Sequence, residues 1–134
     1  MRLTIEISPG ELLDRITILE IKRDLFDDKK KLDHVCFELS KMTGIIEEIL
    51  ENRQDIEEYK IRLKAVNLDA WHLIELMEAN WSSGQKVSEE IFHEAYLLNK
   101  ERVRLKQAVD VLLGSSFVEE KSYLPPAAVR VDRI

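Results

Sequence analysis

Charged residues interrupt the apolar positions of two predicted helices, and these are the residues whose spacing could do chemistry. Asp14 follows Glu11 by three residues, so both carboxylates share one helix face, where they could hold a metal or a substrate amine. Arg102 and Lys106 lie four residues apart near the other end of the chain and could clamp an anion. Because a charge within an apolar stripe is costly unless it is paired, a buried Arg102 bound to Asp14 or Glu75 is the competing interpretation. Such a pair would set helix register, and the sequence leaves both interpretations open.

Other polar and aromatic residues accompany this group as candidates for binding a ligand or a partner. The candidate set is Asp14, Lys22, Asn67, Trp71, Asn99, Arg102, Lys106, Glu119, Glu120, Lys121 and Tyr123. The last four lie beyond the predicted end of the last helix, in a loop that can present polar groups to a site or partner. No catalytic residue is assigned.

A second acidic pattern has the spacing of a magnesium site. The carboxylates are those of Glu47, Glu48, Glu51, Glu75 and Glu78. All-helical nucleoside triphosphate pyrophosphohydrolases look similar, because they hold Mg²⁺ with Glu-Glu-x-x-Glu and then Glu-x-x-Asp on bundle helices. Here Glu78 stands at the Asp position, and the apolar residues Ile46 and Ile49 tilt the first carboxylates outward. A solvated helix face is the favoured interpretation, and a Mg²⁺ site is the alternative.

Charge and composition exclude several classes of protein. The chain has 134 residues, a net charge of −6 and 45% hydrophobic residues, which indicates one globular domain. Residues 44–98 hold five cations and twelve anions, a balance that disfavours binding to nucleic acid. The lone Cys36 excludes a disulfide framework. There is no signal-peptide pattern, and no apolar run nears the roughly 18 residues of a membrane span, so we expect a cytoplasmic protein.

Four helices must position the candidate residues. Ser8, Pro9 and Glu11 form a capping-box pattern at the start of the first helix, which we expect to run to about Phe26. Its apolar residues cover more than one face, which is typical of a helix central in its domain or held between its bundle and a partner. Asp27 and Asp28 mark the start of the second helix.

Apolar residues spaced by three and four predict the other helices. The three seams are Leu32, Val35, Leu39, Met42, Ile46 and Ile49; Ile56, Tyr59, Leu63, Val66, Ala70, Leu73 and Met77; and Ile91, Ala95, Leu98, Arg102, Leu105, Val109 and Leu112. We expect a break within residues 50–56, with Asp55 and Glu58 as a capping box, although one helix continuing to residue 80 is the alternative. Ser88 is expected to cap the last helix and Gly114 to end it.

The expected architecture is therefore all-α, an antiparallel four-helix bundle with short terminal β-strands. Residues 1–134 form a single helical domain, with a strand at 1–7, helices over 8–114 and a tail at 115–134. Val129, Val131 and Ile134 suggest the second strand, which could pair with the first within one chain or across a dimer. Because the seams hold more apolar surface than one small bundle can hide, we predict a homodimer.

Two motifs together resemble an uncharacterised bacterial protein family of about this length. The first is Ser8–Lys22 (SPGELLDRITILEIK), and the other runs from Gly114-Ser115 to Glu119–Tyr123 (EEKSY). Lys64–Asn67 with Trp71 is a weaker third element. The resemblance covers nearly the whole chain and implies a domain of unknown function whose members occur among cell-surface polysaccharide and glycosyl-transfer functions. That association carries no mechanism.

The leading functional hypothesis is a non-catalytic helical interaction module, an accessory to surface-polysaccharide or glycosyl-transfer enzymes. It would dock a protein partner through its first helix or through the tail at Glu119–Tyr123. The alternative is a small all-helical enzyme, such as a Mg²⁺-dependent hydrolase resembling the nucleotide pyrophosphohydrolases. Its site would use Asp14, Arg102 and Lys106, or else the Glu47 carboxylate group.

Overall fold

The structure, a computed structural model, describes residues 1–117, 119 and 120. It has four helices, which are α1 (Pro9–Leu25), α2 (Lys29–Asn52), α3 (Gln54–Ser82) and α4 (Glu89–Leu112). No strand occurs among the described residues. The all-α class and the count of four helices are thus confirmed.

The terminal strand predicted at residues 1–7 is wrong. This segment has no regular secondary structure, and Leu3 and Ile5 are 84% and 73% exposed. Alternation of apolar residues is not sufficient for a strand, because a strand also needs a hydrogen-bonding neighbour, and no other segment of the described chain supplies one. The strand predicted around Val129, Val131 and Ile134 lies outside the described residues.

The predicted helix starts are confirmed by their capping hydrogen bonds. The Ser8 hydroxyl accepts from the Glu11 amide at 3.1 Å. The Asp28 carboxylate accepts from Lys31 N at 3.0 Å, and the Ser88 hydroxyl accepts from Ile91 N at 3.4 Å. Each cap satisfies one of the amides that a helix N-terminus leaves without an intrahelical partner.

The predicted break between the second and third helices is also confirmed, and it is a single residue long. Arg53 has φ −128° and ψ 87°, outside the helical region, between the last residue of α2 and the first of α3. The capping box predicted there is wrong, because the start of α3 has no side-chain cap. Asp55 instead accepts two hydrogen bonds from the Arg53 guanidinium, at 2.9 and 2.7 Å.

Helix α1 lies at the centre of the packing. It contacts α2, α3 and α4, whereas no Cα atoms of α2 and α4 approach within 8 Å. Leu13, Ile16 and Ile21 of α1 are at most 2% exposed. The wide apolar surface of this helix is therefore covered by the chain's own helices.

The main core ends part way along the pair formed by α3 and α4. The core residues of these helices are Ile56 and Leu63 on one and Leu105 and Val109 on the other. Farther along the pair, residues 72–98 contribute nothing to this core cluster in the described part of the chain. We call residues 72–98 the distal arm.

No helix in the described ranges is both long enough and apolar enough to cross a membrane.

Candidate functional site: a buried ion-pair cluster

Asp14 and Arg102 form a two-pronged ion pair between α1 and α4. Arg102 Nε donates to Asp14 Oδ1 at 2.8 Å, and Arg102 Nη2 donates to Asp14 Oδ2 at 2.5 Å. The Asp14 side chain is 1% exposed and that of Arg102 is 34% exposed. The pair joins residues 88 positions apart in the chain, so it exists only when both helices are docked. Of the two partners considered for Arg102, the structure selects Asp14, while Glu75 lies beside His72 at 2.9 Å.

Asn67 brings α3 into the same cluster. Its Nδ2 donates to Asp14 Oδ1 and to Thr17 Oγ1, both at 2.9 Å. The Thr17 hydroxyl in turn donates to the backbone carbonyl of Asp14 at 2.8 Å. All three side chains are buried, and each makes at least one hydrogen bond within the cluster, as burial demands.

Lys106 extends the cluster by one turn of α4. Its Nζ lies 2.7 Å from Glu11 Oε2 and 3.4 Å from Glu119 Oε2. The backbone carbonyl of Glu119 also accepts a hydrogen bond from Gln107 Nε2 at 2.8 Å. The start of the tail is thus attached to α4 and, through Lys106, to the first turn of α1.

Gly10 and Asp110 form the tightest contact between α1 and α4. The Gly10 amide donates to Asp110 Oδ1 at 2.7 Å, so a carboxylate of α4 satisfies an amide in the first turn of α1. A Cβ atom at Gly10 would overlap the backbone carbonyl of Lys106 and would lie 2.8 Å from Asp110 Oδ1. Only glycine allows this close approach.

The cluster sets the charge states of its own members. Burial is the largest influence on Asp14 and would raise its pKa, but hydrogen bonds from Arg102 and Asn67 and the positive charges nearby outweigh it and lower the pKa. The hydrogen bond to Asp14 raises the pKa of Arg102. Burial would lower the pKa of Lys106, but its bond to Glu11 and the surrounding carboxylates raise it. All three groups therefore stay charged around neutral pH.

This arrangement is suited to fixing helices in place. A general base needs a pKa near the working pH and a free lone pair aimed at its substrate. The pKa of Asp14 is instead lowered, farther from neutral pH, and both of its oxygens accept hydrogen bonds from protein groups. The geometry accordingly favours the register-setting interpretation over a metal or amine site at Glu11 and Asp14.

A small cavity of about 190 Å³ lies next to the cluster, between α3 and α4. Its lining is mostly apolar and includes Leu73 and Leu98, with Asn99 and Arg102 as its polar members. Asn99 is exposed and lines the cavity together with Arg102.

The remaining candidates lie away from the cluster or outside the described residues. Lys22 is part-exposed on the C-terminal half of α1. Trp71 packs against Phe26, with ring centroids 6.0 Å apart, which makes it a packing aromatic. Glu120 is exposed next to the anchored Glu119, and Lys121 and Tyr123 fall outside the described part of the chain.

The five carboxylates considered for magnesium are not gathered together. Glu47, Glu48 and Glu51 of α2 and Glu75 and Glu78 of α3 are all exposed. Within the described ranges, no group of three or more carboxylate, histidine or cysteine side chains is arranged to hold a metal ion. The geometry gives the Mg²⁺ alternative no support.

Sequence reasoning gave Glu11 another role and missed three further members of the cluster. Glu11 was explained as half of a capping box, but its carboxylate pairs with Lys106 at 2.7 Å and with Arg15 at 3.5 Å. Thr17, Gln107 and Asp110 carried no signal in the sequence, because their roles depend on which helices lie opposite them.

Comparison with known proteins gives a family and no further relative. Residues 3–132 match the profile of a family described as a family of unknown function, DUF6165. No curated protein and no solved structure matches the chain. The match confirms the expected resemblance to an uncharacterised domain.

Proposed function

This chain belongs to DUF6165, a family of unknown function, and we propose that it is a non-catalytic interaction module that works as a homodimer. The buried cluster supports the non-catalytic part of this proposal, since its charged groups are engaged in joining α1, α3 and α4.

The exposed apolar surface of the distal arm is the observation that carries the proposal. Its large side chains at Ile74, Leu76, Trp81, Phe92, Tyr96 and Leu97 are 47–58% exposed. Large contiguous apolar surface on a folded protein marks an interaction site. Leu73 and Met77 supply the only buried apolar side chains described within the arm.

A second copy of the chain is the partner that fits this surface. Two helices bury little apolar surface by themselves, whereas two such pairs from symmetry-related copies complete a four-helix bundle. Ile74 and Trp81 lie seven residues apart, so they share one face of α3 along the arm. Glu75, Glu78 and the acidic first turn of α4 would form the polar rim expected around an apolar interface. In this arrangement the antiparallel bundle and its coiled-coil seams extend across the dimer.

The oligomeric state tests the proposal. We expect light scattering coupled to gel filtration to show that the wild-type chain is a dimer at about 10–100 µM. The chain with Ile74→Glu and Trp81→Glu should be a monomer, because burying two carboxylates in an apolar interface costs too much free energy. Phe37→Glu is the matched control, since Phe37 is an equally exposed aromatic (56%) on α2, away from the arm. A wild-type chain that is monomeric throughout this range, or a control that dissociates as readily, would overturn the dimer.

We further propose that the segment beginning at Glu119 docks a protein of surface-polysaccharide or glycosyl-transfer function. Most apolar residues of α1 are buried in the chain's own core, so the tail remains as the docking element of the two considered. Its first residue is held in place by Lys106 and Gln107, which fixes where the segment leaves the domain.

A pulldown with identification of the captured protein tests this docking. We expect the wild-type chain to capture a glycosyl-transfer or polysaccharide enzyme and Lys121→Ala with Tyr123→Ala to lose it, while Lys86→Ala in the loop after α3 retains it. Capture that is indifferent to the tail substitutions contradicts the proposal. Nucleotide turnover that requires Mg²⁺ would contradict the non-catalytic assignment itself.

A further inference from the structure

The apolar seam of α4 is interrupted at Arg102, and a cavity lies between α3 and α4 at this interruption. Arg102 occupies the seam position four residues after Leu98, but its guanidinium bonds to Asp14 of α1. The neighbouring seam residues Ala70 of α3 and Ala95 of α4 also line the cavity, and both are too small to fill it. The space of about 190 Å³ beside the ion-pair cluster is the result.

The volume of this cavity suits a small organic molecule. An apolar cavity of about 150 Å³ is sufficient to bind benzene. The cavity between α3 and α4 is larger, at about 190 Å³, so it accommodates a six-membered ring with one small substituent. Leu73 in its wall is buried, whereas the lining residues Ile74 and Asn99 are exposed. A molecule can therefore enter from solvent without separation of the two helices.

Two side chains offer hydrogen-bond donors at the polar edge of the cavity. Asn99 and Arg102 are three residues apart on α4, so they share a helix face. The bonds from Arg102 to Asp14 use Nε and Nη2, and Nη1 takes part in neither. The Asn99 amide can donate a hydrogen bond beside it. Because the pair with Asp14 already holds the guanidinium, a ligand that bonds to it loses little further side-chain entropy.

The charges around the cavity favour a neutral ligand. The cations Arg102 and Lys106 are opposed by the carboxylates of Asp14, Glu11 and Glu119, so negative groups are already in excess. A ligand carboxylate would add to this excess, and a ligand ammonium would meet a guanidinium that has donors and no acceptor. A carbonyl or hydroxyl oxygen can accept from the same donors without bringing a charge into a mostly apolar space.

We propose that this cavity binds a small neutral molecule that has an apolar ring or branched chain and one carbonyl or hydroxyl oxygen. The apolar part lies between α3 and α4, against Leu73 and Leu98. The oxygen accepts hydrogen bonds from Arg102 Nη1 and from the Asn99 amide. The lining residues belong to a single chain, so the site is present whether or not two copies associate through the distal arm.

Four aromatic probes that differ in one substituent test the proposal on the full-length chain. Benzyl alcohol is neutral and has an oxygen, toluene has no oxygen, benzoate is an anion and benzylamine is a cation around neutral pH. Each probe is titrated and followed by NMR at the Asn99 side-chain amide, the Arg102 Nε–H group and the backbone amides of Ala70 and Ala95.

We expect benzyl alcohol to shift these signals saturably and to bind at least about threefold more tightly than toluene, because one net hydrogen bond contributes an effect of this order. Benzoate and benzylamine should bind at least about tenfold more weakly than benzyl alcohol, because each carries a charge into a mostly apolar cavity. Tightest binding by benzoate would identify an anion site and overturn the proposal. The absence of saturable shifts would overturn it as well.

Two substitutions locate the bound probe. Ala70→Leu places a larger side chain in the cavity and should weaken benzyl alcohol binding at least about tenfold, because a filled cavity cannot take the ring without strain. Ala65→Leu is the matched control, since it makes the same change at an exposed position of α3 and should leave the affinity unchanged. Asn99→Ala, at an exposed position, should abolish the preference for benzyl alcohol over toluene while both probes still bind.

The Asn99→Ala measurement remains decisive if Ala70→Leu fails to fold. A preference for benzyl alcohol that is unchanged in Asn99→Ala, or an unchanged affinity in a folded Ala70→Leu chain, would contradict the assigned site. A wild-type chain that is monomeric and still binds benzyl alcohol at these residues would support the site while contradicting the dimer.

Discussion

Asp14 is the residue on which the polar interior depends. It accepts hydrogen bonds from α3 and α4 while standing on α1, and its side chain is 1% exposed. An ion pair with this degree of burial adds little net stability over an apolar replacement, but it is costly to break, because the remaining charge is left without a partner. The main effect of the pair is therefore to specify which residues meet, and its net contribution to the stability of the fold is small.

Asp14→Asn should destabilise the chain strongly. We expect a loss of about 3 kcal/mol in the free energy of unfolding, the low end of the range for a broken buried pair, because the remaining Arg102 side chain keeps 34% exposure. Urea denaturation measures this loss in the free energy of unfolding. Asp33→Asn on the exposed surface of α2 makes the same chemical change and should cost under about 0.5 kcal/mol. Equal effects of the two substitutions would show that the cluster has no special energetic role.

Asp14 should also make stability depend on acid pH. Its pKa is lower in the folded chain than its ordinary value of 3.8, so the unfolded chain binds a proton first as the pH falls. Its contribution is complete above the ordinary value and is lost as the pH drops through the folded pKa. The free energy of unfolding, measured between pH 6 and 3, should fall more steeply for the wild type than for Asp14→Asn. Asp33→Asn, on the exposed surface of α2, should retain the steep fall, and parallel curves for wild type and Asp14→Asn would contradict this assignment.

At the scale of elements, the position of α1 depends on the absence of a side chain at Gly10. The first turn of α1 approaches α4 so closely that the Gly10 amide bonds Asp110 and its Cα faces the Lys106 carbonyl. Helices usually pack 8–10 Å apart through interdigitating side chains, and a glycine at the crossing allows a shorter local separation. The cluster distances follow from this approach, since Glu11 comes directly after Gly10 and Asp14 is one turn farther along.

Two glycine substitutions should have opposite signs. Gly10→Ala should lower the free energy of unfolding by about 1–3 kcal/mol, because its Cβ would overlap backbone that cannot rotate away. Gly44→Ala should raise it by about 1 kcal/mol, because Gly44 lies within α2 with no atom near its Cβ position and alanine is the better helix former. Thermal or urea unfolding of both variants measures the difference. An increase in both variants would mean that helix propensity dominates at both positions.

At the scale of the whole molecule, the chain divides into a packed end and an exposed end. Around α1, all four helices contribute to one core. Along the distal arm only α3 and α4 remain, and six large apolar side chains there are about half exposed. A chain with its apolar surface distributed in this way gains by association.

Dimer formation through the distal arm should raise the thermal stability of the folded chain. If copies associate only when folded, the unfolding temperature rises with protein concentration. We expect calorimetry between about 5 and 200 µM to show a rise of several degrees for the wild type. The Ile74→Glu and Trp81→Glu chain should unfold at one temperature throughout that range. A wild-type temperature that does not vary with concentration would exclude the dimer as the folded form.

The sequence alone determined the local structure of this protein. Caps at Ser8, Asp28 and Ser88, the break near Arg53 and the three apolar seams are set by neighbours within a few residues, so local chemistry suffices to predict them. One failed expectation depended on a partner beyond that range, because residues 1–7 alternate as a strand does but lack a neighbour. The other failed locally, because Asp55 bonds to Arg53, two residues away, instead of capping α3.

Only the tertiary structure decided which polar groups meet. From the sequence, either Asp14 or Glu75 could have paired with Arg102, because pairing across 88 residues depends on which helix faces which. The packing of α1 against α4, set by the small volume of Gly10, brought Asp14, Asn67, Arg102 and Lys106 to one place and left Trp71 and Lys22 outside it. Helix periodicity determines the helix face on which a side chain lies. Its partner across the interface is determined by how the helices pack against each other to bury apolar surface without steric overlap.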